Sequence, residues 1–216
     1  MKLIKPSFEI LEIMGGLFTP LELIEVAGRT CYKSESRINK ESSHQFVQNL
    51  NKRGHESVLE HSAMVVRFIV DRGVSHELVR HRLCAFSQES TRYCNYKGGV
   101  TFIIPPWIDI EEGEYTTLNY FEGPESIRWG YAMITCEKEY IELLILGQTP
   151  QQARTVLPNS LKTEIVVTTN FREWKHIFKL RTSKAAHPQM REIMIPLLNE
   201  VKETIPIIFD SINPED

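Results

Sequence analysis

The stretch Glu164-Ile165-Val166-Val167-Thr168-Thr169-Asn170-Phe171-Arg172-Glu173-Trp174-Lys175-His176-Ile177-Phe178-Lys179-Leu180-Arg181 changes character in its middle. From Glu164 to Thr169 it is a β-branched run suited to a strand. Beyond Asn170 the apolar residues Phe171, Trp174 and Phe178 follow helical spacing, which predicts a helix to about Ser183. Downstream, Pro188 opens a last helix running to Thr204. Upstream, Thr149-Pro150 starts a short helix stopped by Pro158-Asn159-Ser160. A long helix from about Glu125 to Leu146 brings Ile127, Tyr131, Ile134, Ile141 and Leu144 near one stripe. Residues 94–124 hold several Gly and Pro and a brief Val100–Ile104 strand, and read as a long irregular excursion that could form a lid.

The N-terminal half repeats the mixture. Ser7 to Ile13 alternates as a first strand, and Ala63 to Val70 is a buried one ended by Asp71-Arg72-Gly73. Thr19-Pro20 caps a helix to about Cys31, and another spans Glu41 to Lys52, stopped by Gly54. Ser75 is the expected cap of a short helix through Leu83, and Ser87 to Tyr93 reads as extended. Separated strands among long helices predict an α+β (mixed α/β) chain, a mixed sheet packed with long helices, as one domain over 1–216.

Composition excludes several classes. With 25 basic and 28 acidic residues the net charge is −3, so no overall basic field exists to hold a nucleic-acid duplex. No run approaches the roughly 20 apolar residues of a membrane span, and Met1 to Pro6 lacks a signal-peptide pattern. The expectation is a cytoplasmic protein without membrane or nucleic-acid partners. Cys31, Cys84, Cys94 and Cys136 form no CxxC pair and no metal-ligand spacing.

Chemistry concentrates at Arg80-His81-Arg82 and, after seven intervening residues, Ser90-Thr91-Arg92. If Ser87 to Tyr93 is a strand, Gln88, Ser90 and Arg92 share a face and offer an amide, a hydroxyl and a guanidinium to a phosphate or pyrimidine edge. The plain alternative is a solvated basic turn. Against it, Leu78, Val79, Leu83, Ala85 and Phe86 surround the cluster, and a guanidinium held near a core needs an anion. Arg181 lies on the stripe of Phe171, Trp174 and Phe178 with no carboxylate three or four residues away. It is either a ligand contact or a snorkelling helix-end arginine. Arg154 adds a further cation. His55-Glu56-Ser57-Val58-Leu59-Glu60-His61 invites a metal, but its spacing is not that of a zinc motif.

Arg80-His81-Arg82 with Ser90 is an RHRx7S signature that resembles the flavin-dependent thymidylate synthases. His55-Glu56-Ser57 with Glu60-His61 is similar to that family's HxSxxEH-type segment, Ala153-Arg154 with Leu157-Pro158 to its ARxxLP segment, and Asn170, Arg172 and Arg181 to its C-terminal site. The resemblance covers roughly residues 50–195. It implies reductive methylation of dUMP to dTMP, with methylenetetrahydrofolate as carbon donor, NADPH as reductant and FAD as hydride carrier. It places Ser57, Arg80, His81, Arg82, Gln88, Asn170, Arg172 and His176 at FAD. Glu77, Arg80, Gln88, Glu89, Ser90, Thr91, Arg92, Arg154 and Arg181 go to dUMP. Arg181 becomes the catalytic residue that activates the pyrimidine. A homotetramer with sites shared between subunits, and no enzyme nucleophile, also follow from the resemblance.

The chain departs from the family pattern twice, at the order Gln88-Glu89 and at His176, where asparagine is common. Cys84, beside Arg82, is the alternative nucleophile if its pKa is lowered, and otherwise a structural thiol. Ser90 has no adjacent base and reads as a ligand. Two rivals remain. One is a non-catalytic nucleotide or RNA-binding module stacking bases on Phe86, Tyr93 and Tyr96, and the other a metal-dependent hydrolase built on His55, His61, His76 and His81.

Overall fold

A computed structural model describes residues 1–14 and 16–214. In chain order it forms β1 (Lys2–Ile4), β2 (Ser7–Ile13), α1 (Pro20–Tyr32), α2 (Ser42–Lys52), β3 (Ala63–Asp71), α3 (Arg72–Leu78) and β4 (Ala85–Gln88). There follow β5 (Thr101–Ile103), β6 (Gly113–Glu114), α4 (Pro124–Ile145), α5 (Pro150–Ala153), β7 (Lys162–Asn170), α6 (Phe171–Arg181), α7 (Pro188–Thr204) and α8 (Pro206–Phe209). Four strands form a sheet in the order β2-β3-β7-β4. A second sheet places β1 between β5, with which it runs parallel, and β6, with which it runs antiparallel. Helices and sheets are thus mixed in the α+β manner expected.

Two compact units divide the chain, the first made of residues 1–7, 68–80 and 87–165, the second of 8–67, 81–86 and 166–216. The divisions fall inside β2, β3, β4 and β7, which contribute residues to both, and between Arg80 and His81. The first unit builds its core from Leu3, Val100, Phe102, Ile104, Ile108, Ile110, Tyr115, Phe121, Met133 and Tyr140. Seven of these, from Val100 to Phe121, lie within residues 94–124, so the stretch read as an irregular excursion supplies much of this core. In the second unit the predicted stripe is buried: Phe171, Trp174 and Phe178 are fully covered. Trp174 stacks on Phe178, and Phe209 of α8 meets both Phe171 and Phe178 edge-on.

Three expectations need correction. The cap of α3 is Asp71, whose Oδ1 accepts the Val74 amide at 2.9 Å, so the helix begins at Arg72 and ends at Leu78. Ser75 then lies inside it. Aspartate caps as well as serine and stood four residues earlier. Strand β4 ends at Gln88. Ser90 then turns the chain, its carbonyl accepting from the Tyr93 and Cys94 amides and its Oγ from the Arg92 amide. A hydroxyl that captures local backbone donors competes with a sheet ladder, so Gln88, Ser90 and Arg92 do not share a strand face. On α4 the predicted stripe meets the core only in part. Its N-terminal members Ile127 and Tyr131 are 41% and 59% exposed, while Ile141 and Leu144 are partly buried against the core and Ser126, Gly130, Met133 and Tyr140 complete the buried face.

Candidate active site

In the second unit, α6 presents two faces. While Phe171, Trp174 and Phe178 face the core, Arg172, His176 and Lys179 follow one another at i, i+4 and i+7. They line a cavity of about 590 Å³ with Glu56, Glu60, Leu83, Asn170 and Glu173. Asn170 is the N-cap of α6, its Oδ1 accepting the Glu173 amide at 2.9 Å. Arg172 pairs with Glu60, both side chains being about half exposed. Solvent and salt screen such an exposed pair, so the guanidinium is easily turned to a ligand. Lys175 is different. It is buried, and its Nζ donates at 2.6 Å to both Asn51 and Glu56, tying α6 to α2 and to the 3-10 turn Glu56–His61. Burial opposes ionisation of Glu56, but the hydrogen bond and charge of Lys175 prevail and hold its carboxyl below the usual range. A second hollow of about 310 Å³ is bordered by Ser57, Cys31, Tyr32, His55 and again Arg172.

His81 is the buried member of the signature, at 6% exposure, while Arg80 and Arg82 are exposed. Its Nε2 accepts from Arg181 Nε at 3.0 Å, and its Nδ1 lies 3.4 Å from Glu173 Oε1. The His176 ring stands edge-on at 5.9 Å. Burial, then the Arg181 charge, then His176 lower the His81 pKa to about 4. His81, Glu173 and His176 present donor atoms within 4.8 Å of one another. With His81 Nε2 already accepting from Arg181 and a guanidinium alongside, that group is poorly arranged for a cation. Arg181 is half-buried at the end of α6.

Cys84 does not have the lowered pKa that its cationic neighbour suggested. Burial pushes the thiol up to about 11, Glu173 adds to this, and only Thr169 opposes it. A thiol protonated at neutral pH is a poor nucleophile.

The first unit carries a smaller pocket of about 220 Å³, lined by Arg72, His76, Thr91, Arg154, Thr155 and Asn159 among others. Arg154 Nη1 donates to the buried Thr91 hydroxyl at 3.0 Å, and Arg92 Nε to Gln151 at 3.4 Å. Two guanidiniums, an imidazole and two hydroxyls thus surround one hollow, a donor set of the kind that suits an anion. Gln88 gives its amide hydrogens to Ser75 at 2.9 Å and Thr163 at 3.2 Å. Glu89 accepts from Tyr96 at 2.8 Å and Lys162 at 3.0 Å. Both residues are thus engaged in holding β4, β7 and the following turn. Burial, with Glu89, pushes the Tyr96 phenol well above its ordinary range. Glu77 is half-buried on α3.

The proposed ligand residues therefore sort by unit. Ser57, His81, Arg82, Asn170, Arg172, His176 and Arg181 belong to the second; Glu77, Arg80, Gln88, Glu89, Ser90, Thr91, Arg92 and Arg154 to the first. Sequence reasoning missed Lys179 and Glu60 on the larger cavity, though Lys179 completes the i, i+4, i+7 pattern. It also missed Arg72 and Thr155 on the smaller pocket, and named His76 there only as a ligand of the metal-hydrolase rival. Thr155 sits inside the Arg154 motif, whereas Arg72 had been read only as the end of a strand.

The sequence matches the Thy1 family, described as thymidylate synthase complementing protein, over residues 16–207. It is 32% identical to a flavin-dependent thymidylate synthase of Corynebacterium aurimucosum, covering 92% of this chain and 82% of that protein. The enzyme of the same name from Corynebacterium efficiens is 34% identical, over 89% and 80%. Among solved structures, the UMP/dUMP methylase PolB from Streptomyces cacaoi bound with 5-Br dUMP superposes with a TM-score of 0.77. It is 25% identical, and the match covers 97% of this chain and 96% of that one.

Proposed function

Because this chain belongs to the flavin-dependent thymidylate synthases, an enzyme family that uses FAD, we propose how its residues divide the methylation of dUMP between them. The pocket of Arg72, Thr91 and Arg154 in the first unit takes the nucleotide phosphate, with Ser90 and Arg92 on the adjoining turn and Arg80 and Glu77 at the end of α3. The α6 cavity of the second unit takes FAD. Its donor set fits a pyrophosphate cofactor: Arg172, His176 and Lys179 repeat along one helix face, and Asn170 and Ser57 add polar groups beside them. When bound, the flavin supplies hydride chemistry, NADPH the electrons and methylenetetrahydrofolate the carbon.

The chain's own contribution is electrostatic. Arg181 stabilises negative charge on the pyrimidine as N3 loses its proton, which raises the nucleophilicity of C5. The raised pKa of Cys84 supports attack without an enzyme thiolate. The observation that carries the nucleotide assignment is the hydrogen bond from Arg154 to buried Thr91, which presets a guanidinium at the mouth of an anion pocket.

We also infer a single family domain, as the family match spans nearly the whole chain, and a cytoplasmic homotetramer with sites shared between subunits. No helix among the described residues is long and apolar enough to cross a membrane. The exposed Ile127, Tyr131 and Ile145 lie along one stripe of α4, an apolar surface suited to a neighbouring subunit.

The test is a dTMP-formation assay with dUMP, methylenetetrahydrofolate and NADPH on the yellow, FAD-loaded protein. Arg154→Ala is expected to raise KM for dUMP by about 10- to 100-fold, the loss of a charge-assisted contact, with the flavin spectrum retained. Unchanged KM would move the phosphate elsewhere.

A further inference from the structure

We propose that Glu173 and His81 form a positioning relay that orients the Arg181 guanidinium through the unprotonated Nε2 of the His81 ring. The proposal rests on the reading of Arg181 as the residue that activates the pyrimidine. Its geometry stands apart from that reading.

A guanidinium has five N–H donors and no acceptor. The 3.0 Å contact from Arg181 Nε therefore requires a lone pair on His81 Nε2. A neutral imidazole carries one proton, which must then sit on Nδ1, the nitrogen 3.4 Å from Glu173 Oε1. One tautomer gives Arg181 its acceptor and turns an N–H towards the Glu173 carboxylate. The other would point an N–H at a guanidinium and a lone pair at a carboxylate, two repulsive contacts.

The setting strengthens this choice. His81 and Glu173 are only 6% and 8% exposed, and hydrogen bonds gain strength where water is excluded. The groups facing the ring are Glu173, His176 and Arg181, and the guanidinium and the second imidazole both disfavour its cationic form. The acceptor is consequently present throughout the neutral range.

Arginine otherwise loses much rotamer freedom when it is ordered. Anchoring Nε, the donor nearest the stem, fixes the plane of the head and leaves both Nη groups outside this contact. His81 thereby holds a group near developing charge without touching the pyrimidine itself, much as a carboxylate and histidine in series orient a third group elsewhere. Glu173 carries no ligand assignment in the family pattern, and this role accounts for its burial on α6.

The experiment uses the full-length, FAD-loaded chain with isotope-labelled histidine. The His81 ring signals, assigned by their loss in His81→Gln, are expected to show a protonated Nδ1 and a bare Nε2. An Nε2–H tautomer overturns the proposal. Kinetics supply the second arm. Glu173→Gln, whose amide can donate to Nδ1 and so favour the wrong tautomer, is expected to lower kcat about tenfold with flavin content unchanged. In an Arg181→Lys background, which keeps the charge but has no Nε–H, the same substitution should add nothing. Equal losses in both backgrounds overturn the relay. Full turnover by Arg181→Ala would instead refute the activating role of Arg181 and leave the tautomer result standing. Should Glu173→Gln fail to fold, the ring spectrum of the unsubstituted chain decides alone.

Discussion

Acid should weaken this protein through His81 in a way that one substitution removes. The ring's ordinary pKa of 6.5 falls to about 4 in the fold, chiefly through burial and secondarily through Arg181 and His176. Between those values the unfolded chain binds a proton that the folded chain refuses. Stability therefore declines as pH drops through 6.5 towards 4 and levels off below it. From near pH 7 to near pH 4.5, the two binding curves differ by about 2 kcal/mol. Glu56 works in the same direction, since a lowered carboxyl pKa also costs stability on acidification. The clean quantity is thus a difference between two proteins. Urea denaturation of the native sequence and of His81→Gln at both pH values isolates it, because Glu56, Glu173, His176 and Arg181 remain in each. The native chain is expected to lose about 2 kcal/mol more than the variant over this interval. Equal losses, to within about 0.5 kcal/mol, would mean that the ring is not held neutral and that its contact with Arg181 does not persist in solution.

Arg181→Ala should lower kcat by roughly 10² to 10³, whereas Cys84→Ala and Ser90→Ala should retain measurable turnover. Abolished turnover in folded, flavin-bearing Cys84→Ala would restore the thiolate mechanism. Lys175→Met should destabilise the fold by about 3 kcal/mol in urea titrations, because it strands Glu56 and Asn51 beside a buried apolar chain; a shift below about 1 kcal/mol would reclassify the ion pair as a surface one. Gly130→Ala should lower Tm despite the better helix propensity of alanine, since the added Cβ would stand 2.5 Å from the buried Phe121 ring. A raised Tm would show that Phe121 can move aside.

What the sequence revealed about the fold follows the range of the forces involved. Helix α7 was legible residue for residue, and β2 likewise, because proline at a helix start and alternation, even with the slip before Ile13, are local signals. The α6 stripe was legible for the same reason. The path from Ile104 to Phe121 was not, because its residues bury themselves against distant partners such as Leu3 and Tyr140 with no period to announce it. The same limit explains α4. Its apolar stripe turns outward at Ile127 and Tyr131, while its core face is built partly of Ser126 and Gly130, which no hydrophobicity pattern would select.

For the site, the tripeptide Arg80-His81-Arg82 shows where chain proximity misleads. Read in sequence it is one cationic cluster, yet Arg80 belongs to the first unit and His81 and Arg82 to the second. The three side chains differ as sharply in environment, two being exposed and one buried. The buried one has its pKa lowered, which turns it from a supposed cation into a neutral acceptor. The motif's positive charge is therefore carried by its outer members. Its middle residue serves an arginine a hundred positions away. A histidine there can act as acceptor to Arg181 and donor to Glu173 at once, which neither flanking arginine could do, since a guanidinium cannot accept. The order of the triplet follows from that division: solvated charge on either side, and at the centre the one side chain able to pass orientation from a carboxylate to a guanidinium.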